Sequence, residues 1–149
     1  MKIKVQVTIE GSPEAIWKVI TDIENSASHI KGIDKVEILQ NPEKGLVGLK
    51  WIETRTLFGK TATETMWITE AEENQYYKTR AESHGAVYTT LLQISEEGGI
   101  SSLSMEFGSE AQSFGAKIMG WIFGPMMRSS TKKALQQDLE DIKEVVERK

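Results

Sequence analysis

Glu53, Arg55 and Glu64 are the charged residues whose spacing could do chemistry, with Tyr88 as a further candidate. Glu53 and Arg55 are two positions apart, so in a strand they share one face. Glu64 joins them if Phe58-Gly59 is a two-residue turn, because Leu57 then opposes Lys60 and Glu53 opposes Glu64. Two facing carboxylates can raise one pKa toward an acid useful near neutrality, whereas Arg55 on the diagonal favours the ionised form of both. Three roles fit the cluster. It can orient the polar head of an otherwise apolar ligand, it can supply general acid/base groups from Glu53, Glu64 and Tyr88, or it can be an Arg55–Glu64 pair of little energetic weight at a wet end of the sheet.

Other chemistries are excluded or unsupported. The chain has no cysteine, so disulfides, thiolate catalysis and cysteine metal sites are ruled out. Its two histidines, His29 and His84, fall in a weak helix and a tight turn, where a solvated role is expected. No His-x-x-x-His pair, phosphate loop or dinucleotide fingerprint occurs, so no metal, no organic cofactor and no catalytic residue is assigned. A net charge of -4 without a basic cluster argues against nucleic-acid binding. The amino terminus alternates instead of forming a leader's apolar run, and Ile118 to Met127 is too short to cross a bilayer, which takes ~20 residues. A cytoplasmic protein without stable membrane insertion is expected.

The elements that must position the cluster follow from periodicity. Ile3, Val5, Val7 and Ile9 alternate with polar residues, a half-buried strand ended by Gly11. Ser12-Pro13-Glu14 is an N-cap, a first helical residue and an acid at the positive end of the dipole, and predicts a helix to about Asp22 that buries Ile16, Trp17, Val19 and Ile20. Asn25 to Ile30 predicts a second short helix or turn. Six strands follow: Ile33 to Leu39, Leu46 to Leu57, Thr61 to Glu70, Tyr76 to Ser83, Ala86 to Ser95 and Ile100 to Ser109. The separators are Asn41-Pro42, Phe58-Gly59, Glu73-Asn74, His84-Gly85 and Gly98-Gly99.

Two-residue turns at the second, fourth and fifth of these separators give one shared face. Leu49 and Trp51 meet Met66 and Ile68; Tyr77, Thr79 and Ala81 meet Tyr88, Thr90 and Leu92; Leu92 and Ile94 meet Leu103, Met105 and Phe107. The face is ionic at Glu53, Arg55 and Glu64 and oily at the other end.

Phe114 to Lys149 predicts a long helix whose Leu135, Leu139, Ile142 and Val146 recur at steps of 4, 3 and 4. Lys143 with Glu147 and Glu144 with Arg148 have four-residue spacing on a face read as simply solvated. Toward its start the helix is apolar all round. Either it bends at Gly124-Pro125 and lids a pocket, or it presents that surface to a membrane, a partner or a dimer mate.

This order resembles the helix-grip fold of the START-like superfamily, in particular its bacterial polyketide cyclase/dehydrase-like family. The resemblance rests on GSPEAIWKVITDIEN (residues 11–25), GLKWIETRTLFGKTATETMWITE (48–70) and FGAKIMGWIFGPMMRSSTKKALQQDLEDIKEV (114–145). It implies an α+β domain over 1–149: a seven-stranded curved antiparallel sheet around a long C-terminal helix, with two short helices between strands 1 and 2. It also implies an apolar cavity between sheet and helix, used by different members for lipids, hormones or polyketides and by a minority for cyclisation or dehydration.

The expected function is binding or carriage of a small hydrophobic or amphipathic molecule by a monomer or weak homodimer. The expected lining is Leu49, Trp51, Met66, Tyr77, Tyr88, Leu92, Met105 and Phe107 from the sheet and Trp121, Phe123 and Met127 from the helix, with Glu53, Arg55 and Glu64 at the polar end. A cofactor-independent cyclase or dehydratase using Glu53, Glu64 and Tyr88, and an interaction module using the apolar front of the helix, are the alternatives.

Overall fold

The computed structural model describes the backbone of residues 2–57, 59–83, 85–111 and 114–148, and their side chains except 57, 60, 83 and 111–127. Strand β1 (Lys2–Ile9) alternates exposed and buried residues throughout, as its period of two requires. Helix α1 (Pro13–Ile20) starts where expected: the Ser12 hydroxyl accepts from the Ala15 N–H at 3.1 Å. It stops at Ile20, before Asp22, where the Thr21 hydroxyl donates to the Trp17 carbonyl at 2.7 Å and ends the ladder. A 3₁₀ turn (Ile23–Asn25) and α2 (Ser26–His29) follow.

The remaining strands are β2 (Ile33–Gln40), β3 (Lys50–Leu57), β4 (Lys60–Glu72), β5 (Tyr76–Ser83), β6 (Ala86–Glu97) and β7 (Ile100–Ala111). They form one antiparallel sheet in the order β1-β7-β6-β5-β4-β3-β2. All three turn-derived registers hold: Glu53 pairs with Glu64, Tyr77 with Leu92, and Leu92 with Met105. Residues 46–49, expected in a strand, make a turn instead. Gly48 has a φ of +97°, which ordinary side chains resist, and the Leu49 N–H donates to the Leu46 carbonyl at 3.0 Å. Register shifts at Asp34, Leu39 and Thr69 bend β2 and β4 and help curve the sheet.

Helix α3 (Phe114–Glu147) closes the chain. Leu139 and Ile142 are buried in a core shared with Ile3, Val5, Val7, Ile9, Ile16 and Leu103, and each such side chain stabilises the fold by about 1.5–3 kcal/mol. The helix also shields the open edge of β1. Gln136 Nε2 donates to the Gln6 carbonyl at 3.3 Å, Lys143 Nζ donates to the Thr8 carbonyl at 2.5 Å, and Glu147 accepts from the Glu10 N–H at 2.8 Å. The face read as solvated is therefore partly spent on backbone groups that an edge strand would otherwise leave open. The bend expected at Gly124-Pro125, and the parts expected of Trp121, Phe123 and Met127, lie outside the described side chains.

Candidate functional site

Burial along β3 separates the inward row from its surroundings. Leu49 and Trp51 are buried; Glu53 and Arg55 follow on the same face, with side chains 15% and 24% exposed. Across β4, β5, β6 and β7 the face continues through Met66, Ile68, Tyr77, Thr79, Ala81, Tyr88, Leu92, Met105 and Phe107. Of these, Ile68, Tyr77, Thr79, Ala81, Leu92 and Met105 are buried. Met66, Tyr88 and Phe107 are only half-buried, although they point to the inner side of the sheet. The rings of Tyr88 and Phe107 stack with centroids 5.8 Å apart and planes 23° apart.

Tyr77 is tied down. Its hydroxyl donates to the Ile20 carbonyl at the end of α1 at 3.0 Å, and Trp17 meets its ring edge-on at 6.2 Å. Burial, with the charge of Glu53 behind it, pushes this hydroxyl well above the usual tyrosine range, so it remains a donor. Burial also raises the Tyr88 hydroxyl, assisted by Glu64.

The guanidinium of Arg55 takes Glu53 and Asp138 as its partners. Its Nε donates to Glu53 at 2.8 Å, and its two terminal nitrogens donate to the two oxygens of Asp138 at 3.2 and 2.9 Å. The paired geometry with Asp138 is the strong, fork-shaped form of the contact. Burial alone would lower the pKa of Arg55, but Glu53 and Asp138 outweigh it and hold the guanidinium charged. Asp138 is 3% exposed, and burial raises its carboxyl despite Arg55, with Glu53 and Asp141 adding repulsion. One guanidinium, already engaged by Glu53, does not offset the burial of a second carboxylate.

Gly32 makes room for this contact: a Cβ there would stand 3.2 Å from Nη1 of Arg55 and 3.5 Å from Oδ1 of Asp138. Next to it, buried Asp141 accepts from the Lys31 N–H at 2.9 Å and from Gln137 Nε2 at 2.8 Å, fastening the loop before β2 to α3.

Asp138 and Asp141 are the residues that sequence reasoning missed. Asp138 lies three after Leu135 and four before Ile142, inside the apolar stripe, and an acid at such a position asks for a buried cation. Arg55, a cation that the register places on the inward face, was available. His29 also departs from expectation: it is half-buried and its Nδ1 has no hydrogen-bond partner among the described residues. His84 lies outside the described residues. Among the described residues no group of three or more acids or histidines is arranged to hold a metal, and no helix is long and apolar enough to cross a membrane.

Solved structures share the whole arrangement at low identity. A Thermus thermophilus protein, TTHA0849, superposes with a TM-score of 0.82 at 14% identity, over 98% of this chain and 97% of the other. The Zhui aromatase/cyclase from Streptomyces gives 0.78 at 15% identity, over 99% and 94%. A START superfamily protein from Mycobacterium smegmatis gives 0.70 at 16%, over 95% and 98%. These likenesses establish the helix-grip fold. No curated protein sequence matches the chain. The model of one family, described as polyketide cyclase / dehydrase and lipid transport, matches residues 1–147, and the chain belongs to that family.

Proposed function

We propose that the chain, acting as one domain over 1–149, binds a small hydrophobic or amphipathic molecule between the inward face of the sheet and the front of α3. The observation that carries this reading is the half-buried Met66, Tyr88 and Phe107 on a face whose Ile68, Tyr77, Leu92 and Met105 are buried. An inward apolar surface left partly uncovered is where a ligand gains most from contact. Leu49, Trp51, Met66, Tyr77, Leu92, Met105 and Phe107 form the apolar wall in this proposal, and Trp121, Phe123 and Met127 its helical side. Glu64 and the Tyr88 hydroxyl are its polar end. Glu53 and Arg55 contribute mainly by holding α3, because Asp138 already takes up the guanidinium.

A second reading is favoured by Tyr88. Burial and Glu64 keep its hydroxyl a neutral donor, which suits polarising a carbonyl in cyclisation or dehydration; the family description and the aromatase/cyclase neighbour are in keeping with it. Native mass spectrometry of protein purified from its own host tests both readings. An intact amphipathic molecule at unit stoichiometry supports carriage, and a cyclised or dehydrated form of a supplied polyketide-like compound supports catalysis. Protein that arrives empty and takes up neither a fluorescent fatty acid nor a flat aromatic ketone overturns the binding reading.

A further inference from the structure

Trp51 is buried at 3% exposure, and its indole N–H finds no hydrogen-bond partner among the described residues. Folded proteins seldom leave such a donor unmet, because burial strips its water and nothing replaces it. Tyr77 provides the contrast. It is buried on the same face, and its hydroxyl reaches the Ile20 carbonyl.

Trp51 stands between Ile38 of β2 and Met66 of β4, with Leu49 just before its strand and Glu53 next along the same face. Leu49, Ile38 and Met66 offer no oxygen or nitrogen in their side chains. The demand is therefore for one acceptor in apolar surroundings. Two carboxylates, Glu53 and Asp138, share a single guanidinium farther along the face, so a negatively charged acceptor would meet repulsion.

Resting on the binding reading above, we propose that the indole N–H of Trp51 donates to a neutral carbonyl oxygen of the bound molecule. It would thereby set specificity for an apolar body carrying a ketone or ester over a bare hydrocarbon of the same shape. A site built around a buried donor rejects the analogue that lacks the acceptor, because the donor is then left unpaired.

The test titrates protein carrying isotope-labelled tryptophan with fluorenone and with fluorene, flat tricycles that differ by the ketone oxygen. Trp51→Phe assigns the Trp51 indole resonance and removes the donor while retaining an aromatic ring. Fluorenone is expected to move that indole proton downfield, as a hydrogen bond does and the ring of fluorene alone does not, and Trp51→Phe to weaken fluorenone about tenfold more than it weakens fluorene. Equal weakening of both probes, or binding of fluorenone with the resonance unmoved, overturns the donor role and leaves the binding reading intact. Binding of neither probe, by wild-type protein that melts cooperatively, overturns the donor role alone where a fluorescent fatty acid still binds, and both readings together where it does not. Should Trp51→Phe fail to fold, the remaining resonances identify Trp51 by elimination through the other three tryptophan variants, and the wild-type titrations decide.

Discussion

Glu53 and Glu64 are partners across β3 and β4, yet their surroundings differ. The Glu53 carboxylate lies 2.8 Å from Arg55, which in turn grips Asp138 of α3. Glu64 lies on the other strand, close enough to Tyr88 to help keep its hydroxyl protonated, and that ring is half-buried against Phe107. One corner of the inward face is thus a clasp between sheet and helix, whereas at the other a half-buried hydroxyl stands near Glu64. Strand register set the two acids opposite each other; a single helical aspartate made them unlike.

The comparison breaks most easily at the clasp. Asp138→Ala should destabilise the protein by about 3–5 kcal/mol in urea denaturation, because it strands much of a buried guanidinium. Replacing all three members, as Glu53→Leu and Arg55→Met with Asp138→Leu, should recover most of that loss; a triple variant as unstable as the single one would mean that the cluster stabilises beyond its own desolvation. Gly32→Ala, which pushes a methyl group toward both partners, should cost about 1–2 kcal/mol by the same measurement. Tyr77→Phe loses the bond to Ile20 and should cost about 1 kcal/mol.

At the open corner, Tyr88→Phe should shift stability by less than about 0.5 kcal/mol while weakening a polar-headed ligand, as read by calorimetry. A large stability loss there would erase the distinction between the corners.

Acid titration sharpens the same contrast without mutation. The Asp138 carboxyl is raised from its ordinary 3.8, so on acidification the folded chain takes up this proton before the unfolded chain does. Its contribution favours the fold in acid below 3.8 and is lost as pH rises through the folded value. Glu147 is lowered from its ordinary 4.5, chiefly by the Glu10 N–H, so its contribution is present above 4.5 and lost as pH falls through its folded value. Carboxyl-carbon NMR should show the two midpoints displaced in opposite directions, and a depressed Asp138 would mean that Arg55 outweighs the burial of its partner.

Much of the framework was legible because it depends on local chemistry. Ser12 caps α1, and the turns at 58–59, 84–85 and 98–99 set registers that agree with one another. The misreadings came where a contact distant in sequence outweighed a local pattern. Leu46 to Leu49 is apolar enough for a strand, but the chain turns at Gly48, whose N–H donates to the distant Ile68 carbonyl at 2.9 Å. The Lys143 and Glu147 pair has ordinary surface spacing, but both side chains are drawn to the edge of β1. Asp138 was missed because an acid in a helix is usually solvated, and only contact with β3 shows otherwise.

The sequence by itself determined the strands, their registers, the long helix with its apolar stripe and the inward row from Leu49 to Arg55, since each follows from periodicity and turn chemistry within a few residues. Tertiary structure alone decided which charges are spent. Arg55 lies 83 positions from Asp138, and no local pattern encodes a contact over that distance. It likewise gave the Tyr77 hydroxyl a partner and the Trp51 indole none among the described residues, because hydrogen-bond satisfaction depends on what packs against a strand and not on the strand itself.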